Sequence, residues 1–348
     1  MSPVPRHERV LQNTVEVVTE AELGALLEGG GKPRAYIGLE PSGFLHLGTG
    51  PMVADKIKDL VEAEFEVTVL LADWHAYIND KFGGDWEAIR RCAAYSVEAY
   101  GALGVPDSVR FVYASNLVQE EGYWRNVLRV AKASTLARIR RALDIMGRKE
   151  EEADLDASKL FYPAMQVTDI HTLDLDLAYG GMDQRHAHML YREVAPKLGW
   201  KQVVALHTPL LTGLQGGGRM DSWDSKMSKS RPETSIFIHD TPETIAEKVE
   251  RAYGPPREVQ GNPLLEFYRF LLFPLSAPRT VEREARHGGD VTYEAYSALE
   301  ADYRKGDLHP KDLKAAAARH LTQLLEPARS YFERHPEGLR KVQELVDA

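Results

Sequence analysis

A chain of 348 residues exceeds the usual size of one domain and is comfortable for two. With 43% apolar and 27% charged residues it has an ordinary soluble composition, and a net charge of -9 weighs against an unselective nucleic-acid coat while permitting a local basic patch. The single cysteine, Cys92, excludes an internal disulfide and a cysteine zinc cluster, and no apolar run is long enough to span a bilayer, so the expectation is a cytoplasmic protein without a membrane role.

Residues up to about Lys32 are expected to form a helical lead-in. Thr19-Glu20-Ala21-Glu22 has capping-box spacing, Leu23, Leu26 and Leu27 share one face, and Gly29-Gly30-Gly31 ends the helix. The next stretch organises the chain. Ala35 to Leu39 reads as a short strand, Pro41-Ser42-Gly43 as a tight turn, and His46 as the start of a helix running to about Ala63. A strand that feeds a helix N-terminus offers unpaired amides at the positive end of a dipole, so phosphate is the expected occupant. Phe65 to Ala72 reads as a buried parallel strand that completes a β-α-β unit. Asp73-Trp74-His75-Ala76-Tyr77-Ile78-Asn79-Asp80 then lies at its C-terminal end, where open α/β sheets keep their ligands.

Asp85 to Leu103 is read as a helix, Val109 to Tyr113 as a strand, and Trp124 to about Lys149 as a long, locally basic helical region. Its charge suits either a solvated face or a phosphate-contact surface. A polar connector at Glu150 to Asp156 leads to a helix from Lys159 to Leu177, on which Tyr162, Gln166 and Asp169 share one face through spacings of four and three. Three polar groups on an otherwise apolar helix beside a sheet edge suit a binding pocket. Gly180-Gly181-Met182-Asp183-Gln184-Arg185 is read as a turn into a helix ending near Lys197, and Val203 to His207 as a strand. A loop with glycines at Gly213 to Gly218 then delivers Lys226-Met227-Ser228-Lys229-Ser230, whose lysines and hydroxyls suit a mobile clamp on phosphates. From Asp240-Thr241-Pro242-Glu243 onward the patterns are helical, which marks a boundary near residue 240.

Together, His46-Leu47-Gly48-Thr49 and Lys226-Met227-Ser228-Lys229-Ser230 resemble the two nucleotide-binding motifs of class I aminoacyl-tRNA synthetases. Within that class, Tyr36 to Gly43, Leu70 to Tyr77, Tyr162 to Asp169 and Gly180 to Arg185 resemble the tyrosyl-tRNA synthetases of the archaeal and eukaryotic-cytosolic type, over about residues 33 to 330. The resemblance implies an α/β fold. A helical lead at 1–33 would precede a Rossmann-type parallel-sheet catalytic domain at 34–240, with an inserted helical connector at roughly 115–157, and an all-α anticodon-binding domain would occupy 241–348. It also implies a tyrosine–tRNA ligase that uses ATP with Mg²⁺ carried by the substrate and no zinc. L-tyrosine and tRNA(Tyr) would be its other substrates, and a homodimer would form with the helix around Tyr123 to Ile145 as partner surface.

By the same resemblance, Gly38, Glu40, Ser42, Gly43, His46 and Gly48 would hold ATP from the first motif, and Lys226, Met227, Ser228, Lys229 and Ser230 from the second; His46, Lys226 and Lys229 would be catalytic. Tyr36 and Asp169 would meet the phenol of the substrate, Tyr162, Gln166 and Gln184 its ammonium group, and His75 would line the same pocket. Arg138, Arg140, Arg141 and His186 would touch the acceptor end of tRNA, while Asp312, supported by His309, would read an anticodon base against which His287 stacks. Thr49 stands where the family often has histidine.

The chemistry agrees with this reading. The amino acid's carboxyl, with a pKa of about 3.5, is already ionised at neutral pH, so catalysis reduces to positioning and charge neutralisation. A tryptophan-tRNA ligase of the same fold is the nearest alternative, and Tyr36 with Asp169 argue for a phenol over an indole N–H. A catalytically silent RNA-binding relative is the other, and Lys226 and Lys229 argue against it.

Overall fold

The computed structural model describes residues 4–147, 156–216, 226–229, 231–275 and 277–347. A six-stranded sheet is built from β1 (Glu16–Val18), β2 (Arg34–Leu39), β3 (Glu66–Leu71), β4 (Arg110–Tyr113), β5 (Leu177–Gly181) and β6 (Val204–Thr208). Its order is β1-β6-β5-β2-β3-β4, with β1 antiparallel and every other pairing parallel. The chain leaves β2 for β3 on one side and returns to β5 on the other. That reversal opens a crevice at the C-terminal ends of β2 and β5, where doubly wound sheets bind ligands. No described helix is long and apolar enough to cross a membrane.

The alternation of β2 sets its two faces. Ala35 and Ile37 pack into a core cluster that runs from the sheet into C-terminal residues such as Leu264, Leu313 and Leu325. Tyr36 points the other way, into a cluster with Tyr123, Val127, Tyr162 and Met165. The residue expected to meet the substrate therefore stands on the face opposite the C-terminal helices.

Several elements depart from the sequence expectation. The lead-in is not wholly helical, because β1 lies within it and pairs Glu16 with His207 on β6; three residues are too few to carry a strand period. The second helix behaves as expected, with a capping box between Thr19 and Glu22. After β2 the helix begins at Pro51 rather than at His46. His46 instead forms an isolated bridge with Phe237, and Gly50 donates its N–H to the His46 carbonyl at 2.6 Å. Proline is favoured at a first helical position because its missing N–H would be unpaired there in any case.

The helix expected to reach Leu177 stops at Thr172, and Leu177–Gly181 is the central strand β5. A five-residue apolar run cannot be told from a continuing helix by periodicity. The long basic helix is likewise broken at Ser134 and Thr135, where the Thr135 hydroxyl caps Leu136–Arg141 by accepting the Arg138 N–H at 3.2 Å. Beyond residue 240 the chain is helical apart from a ribbon of β7 (Arg279–Val281) and β8 (Val291–Tyr293). Most of the polar connector and the end of the glycine loop lie outside the described residues.

Candidate active site

Tyr36 on β2 is buried, and its hydroxyl has no hydrogen-bond partner. Asp169, fully buried on the Phe161–Thr172 helix, divides its carboxylate. Its Oδ1 accepts the Tyr123 hydroxyl at 2.7 Å, whereas its Oδ2 lies 3.3 Å from Nε2 of His75 without hydrogen-bond alignment. Burial pushes the Asp169 carboxyl up to about 7, against the pull of the Tyr123 hydrogen bond and with a further push from Asp73. Burial also pushes His75 down to about 4, so the imidazole is neutral. The ring of Tyr162 meets His75 edge-on at 4.7 Å, and its hydroxyl donates to Oε1 of Glu40 at 3.4 Å.

Gln166, one turn before Asp169, donates from Nε2 to Oε1 of Gln184 at 3.1 Å, and Gln184 in turn donates to the Ile145 carbonyl at 3.4 Å. The turn after β5 permits this approach because residue 180 is glycine: a Cβ there would lie 2.9 Å from Cβ of Gln184. Tyr36 Oη, Asp169 Oδ2, Gln166 Oε1 and both ring nitrogens of His75 are all buried without a hydrogen-bond partner. Protein interiors rarely leave such groups unpaired, so their convergence marks a site whose ligand brings hydrogen-bond donors and acceptors.

The phosphate end differs from expectation. Leu47, Gly48, Thr49 and Gly50 all direct their N–H groups to protein acceptors: the Ile236 carbonyl, the His46 ring and, for the last two, the His46 carbonyl. These amides do not form an anion cradle, and the helix start lies beyond them. The first motif contributes a ring. Gly48 donates to Nδ1 of the buried His46 at 3.1 Å, which leaves the imidazole proton on Nε2. Burial, with Lys229 and Lys226 nearby, pushes His46 down to about 3. His46 is thus a neutral hydrogen-bond donor and supplies no charge. Thr49 closes the turn, its hydroxyl accepting the His46 N–H at 3.2 Å.

Positive charge comes from the second motif. Lys229 reaches Oγ of Ser42 at 3.1 Å, and burial lowers its pKa from the usual lysine value. Gly43, beside it, is held from below, its N–H donating to Sγ of Cys92 at 3.2 Å. Lys226 pairs with Asp183 at 3.1 Å, and its backbone bridges to Thr212. Glu40 accepts Asn79 Nδ2 at 2.8 Å and lies 3.4 Å from Lys81. Gly38 sits on β2 against the Tyr36 ring, and Met227 is buried below the lysines. Ser230 lies outside the described residues; Ser228 accepts the Ser235 hydroxyl at its carbonyl, 2.8 Å away.

At the surface, Arg138, Arg141 and His186 line one groove with Arg185, Met189 and Arg192, while Arg140 is exposed and does not line it. Arg138 bonds Glu193 at 2.7 Å and the His186 carbonyl at 3.2 Å. Nδ1 of His186 lies 2.6 Å from Asp144. In the C-terminal region His309 caps the Pro310–Arg334 helix by accepting the Lys311 N–H at 3.2 Å, and Asp312 stands in its first turn. The side chain of His287 lies outside what the structure describes.

Sequence reasoning missed Tyr123, Asn79, Arg185 and Arg192. Tyr123 opens a helix whose other residues read as a partner surface, and nothing in its spacing points 46 residues ahead to Asp169. Arg185 did stand within a quoted motif, and its charge was the signal available.

Residues 28–326 match the family described as tRNA synthetases class I (W and Y). A tyrosine–tRNA ligase of Aeropyrum pernix is 51% identical over 335 residues, covering 93% of this chain and 92% of that protein. One from Sulfurisphaera tokodaii is 49% identical, with 97% and 94% covered. The chain belongs to the tyrosyl-tRNA synthetases. It is a class I tyrosine–tRNA ligase, and its fold follows a solved relative closely. The crystal structure of the Pyrococcus horikoshii synthetase, complexed with L-tyrosine, superposes with a TM-score of 0.91 at 42% identity, covering 97% of this chain and 98% of that one.

Proposed function

We propose that tyrosine enters the crevice between β2 and β5 with its phenol between Tyr36 and Asp169 and its ammonium group against Tyr162, Gln166 and Gln184. The observation that carries this reading is the divided carboxylate of Asp169, one oxygen held by Tyr123 and the other buried without a partner beside His75. An oxygen in that state accepts a substrate O–H, and Tyr36 supplies the complementary hydroxyl. His75, being neutral, orients the pocket without competing for charge.

ATP lies on the other side of the Gly43 turn, held by Gly38, Glu40, Ser42, Gly43 and Gly48 and by the second motif. A carboxylate oxygen of tyrosine attacks the α-phosphorus, and the bond from that phosphorus to the bridging oxygen of pyrophosphate breaks. His46 donates a hydrogen bond from Nε2, Lys226 and Lys229 meet the charge gathering on the phosphates, and Mg²⁺ arrives with ATP as part of the substrate. A ribose hydroxyl at the 3′ end of tRNA(Tyr) then attacks the tyrosyl carbonyl, and AMP leaves. The groove of Arg138, Arg141 and His186 receives the acceptor end, with Arg140 on its outer surface, and Asp312, His309 and His287 read the anticodon. This divides the chain into a lead at 1–33, a catalytic unit at 34–240 and an anticodon-binding unit at 241–348.

The enzyme acts as a cytoplasmic homodimer. Trp124, Leu128 and Leu136, at 40%, 56% and 57% exposure, give the Tyr123–Ile145 stretch an apolar face suited to a second copy. Light scattering that returns the mass of one chain sinks this part. The site assignment is tested by tyrosine-, phenylalanine- and tryptophan-dependent pyrophosphate exchange in Asp169→Ala. The expected result is a Tyr/Phe ratio narrowed by about tenfold or more, since a lost hydrogen bond to a charged group is worth about that much. An unchanged ratio with uniformly lower activity overturns it.

A further inference from the structure

Glu266 stands on the Pro263–Phe267 helix, beyond residue 240, yet both its carboxylate oxygens serve the catalytic half of the chain. Oε2 accepts the Thr212 backbone N–H at 2.8 Å, and Oε1 accepts the Thr212 hydroxyl at 2.9 Å. Thr212 is the residue whose backbone bridges to Lys226, and the neighbouring Leu211 carbonyl accepts the Met227 N–H at 2.7 Å. The loop's first lysine is thus docked, through an isolated bridge, on a segment that a carboxylate from the C-terminal region grips.

Glu266 is itself held firmly. Its N–H donates to the Asn262 carbonyl at 3.1 Å. Asn262 caps the helix through the Leu264 and Leu265 amides, and its Nδ2 donates to the Glu258 carbonyl at 3.1 Å and to Oη of Tyr303 at 3.3 Å. Burial raises the Glu266 carboxyl above its usual range, and the two Thr212 hydrogen bonds oppose that rise. An apolar residue would join two packed segments without that penalty. A carboxylate fixes the register of a backbone N–H, which apolar packing does not.

We propose that Glu266 is a positioning residue for adenylate formation: through Thr212 it sets where Lys226 stands when ATP is bound. This rests on the reading of Lys226 as a phosphate-binding lysine.

The test is tyrosine-dependent pyrophosphate exchange by the full chain in Glu266→Leu, Lys226→Ala and the double variant. Leucine keeps nearly the size of Glu266 and removes both acceptors of Thr212, whereas Glu266→Gln still accepts the Thr212 N–H at Oε1 with its Nε2 donating to the hydroxyl, and so keeps most of the kcat. The expected loss in kcat for Glu266→Leu is about ten- to a hundredfold, the worth of a charge-assisted hydrogen bond. The KM for tyrosine stays unchanged, since that pocket lies on the opposite face of β2. In the double variant the losses do not multiply, because Glu266 acts through Lys226. Thr212→Ser keeps near-normal kcat, and Thr212→Val loses part of it. If Glu266→Leu does not fold, Thr212→Val must show the kcat loss and the same non-additivity with Lys226→Ala. An unchanged kcat in the folded Glu266→Leu variant, or losses that multiply, overturns the proposal while leaving the lysine's role intact. Full exchange by Lys226→Ala alone removes that role and the proposal with it.

Discussion

Tyr123 donates its hydroxyl to Oδ1 of Asp169 at 2.7 Å, and this one contact decides which oxygen of the carboxylate faces the pocket. Both residues are buried, so the hydrogen bond is made in a low-dielectric setting where its loss is felt strongly. Asp169 can then receive a phenol at Oδ2 without changing rotamer. On the proposed placement of tyrosine, Tyr123 would position Asp169 rather than touch the substrate.

Tyr123→Phe keeps the ring and deletes the donor. The expected outcome is a rise of about tenfold in the KM for tyrosine, with kcat changed far less, and a narrower preference for tyrosine over phenylalanine. Steady-state pyrophosphate exchange with both amino acids checks this. An unaltered preference would show that Oδ1 needs no anchor.

A pH dependence follows from the same carboxyl. With its pKa raised to about 7, Asp169 is protonated below that value and ionised above it. The ionised form accepts the substrate O–H, so the affinity for tyrosine should rise through about pH 7, and Asp169→Asn should flatten the profile. The free enzyme's stability runs oppositely. A raised carboxyl pKa gives a contribution that is complete below the unfolded value of 3.8 and is lost as pH climbs through about 7. Tyrosine titrations and thermal unfolding between pH 5 and 8, roughly the span bracketing that pKa, measure both slopes.

His46→Ala should lower kcat by about a hundredfold or more while leaving the KM for tyrosine alone, as expected for an oriented donor that stabilises charge only at the transition state. Because burial and the two lysines hold His46 near 3, the kcat profile should show no inflection from this residue between pH 5 and 8, a span of roughly neutral pH far above its titration. An inflection abolished by His46→Ala would contradict the neutral-donor role.

Arg141 and Arg140 are sequence neighbours, yet only Arg141 lines the groove. Arg141→Ala should therefore reduce the slope of log KM for tRNA against log salt by about one, and Arg140→Ala by less. Aminoacylation kinetics across a salt series distinguish the two. Equal effects would move the contact surface out of the groove.

Much of the site was legible in the residues alone. The spacing of Tyr162, Gln166 and Asp169 does place them on one helix, the capping box at Thr19 forms, and Lys229 of the second motif reaches Ser42 in the turn of the first. Those features depend on residues a few positions apart, or on motifs complete in themselves. The helix start was misplaced by five residues for a different reason: the amides of Leu47 to Gly50 find partners through His46 and Ile236, and only the folded turn brings those acceptors there.

The amino-acid sequence by itself determined the α/β character, the two motifs and the polar face that together mark a nucleotide and an aromatic ligand. Tertiary structure alone decided that Leu177–Gly181 is a central strand, that His46 acts as a neutral donor, and that Asp169 leans on Tyr123. It also joined Thr212 to Glu266, 54 residues further on. Strand identity, burial and long-range hydrogen bonds depend on what the rest of the chain brings alongside, and no local period records that.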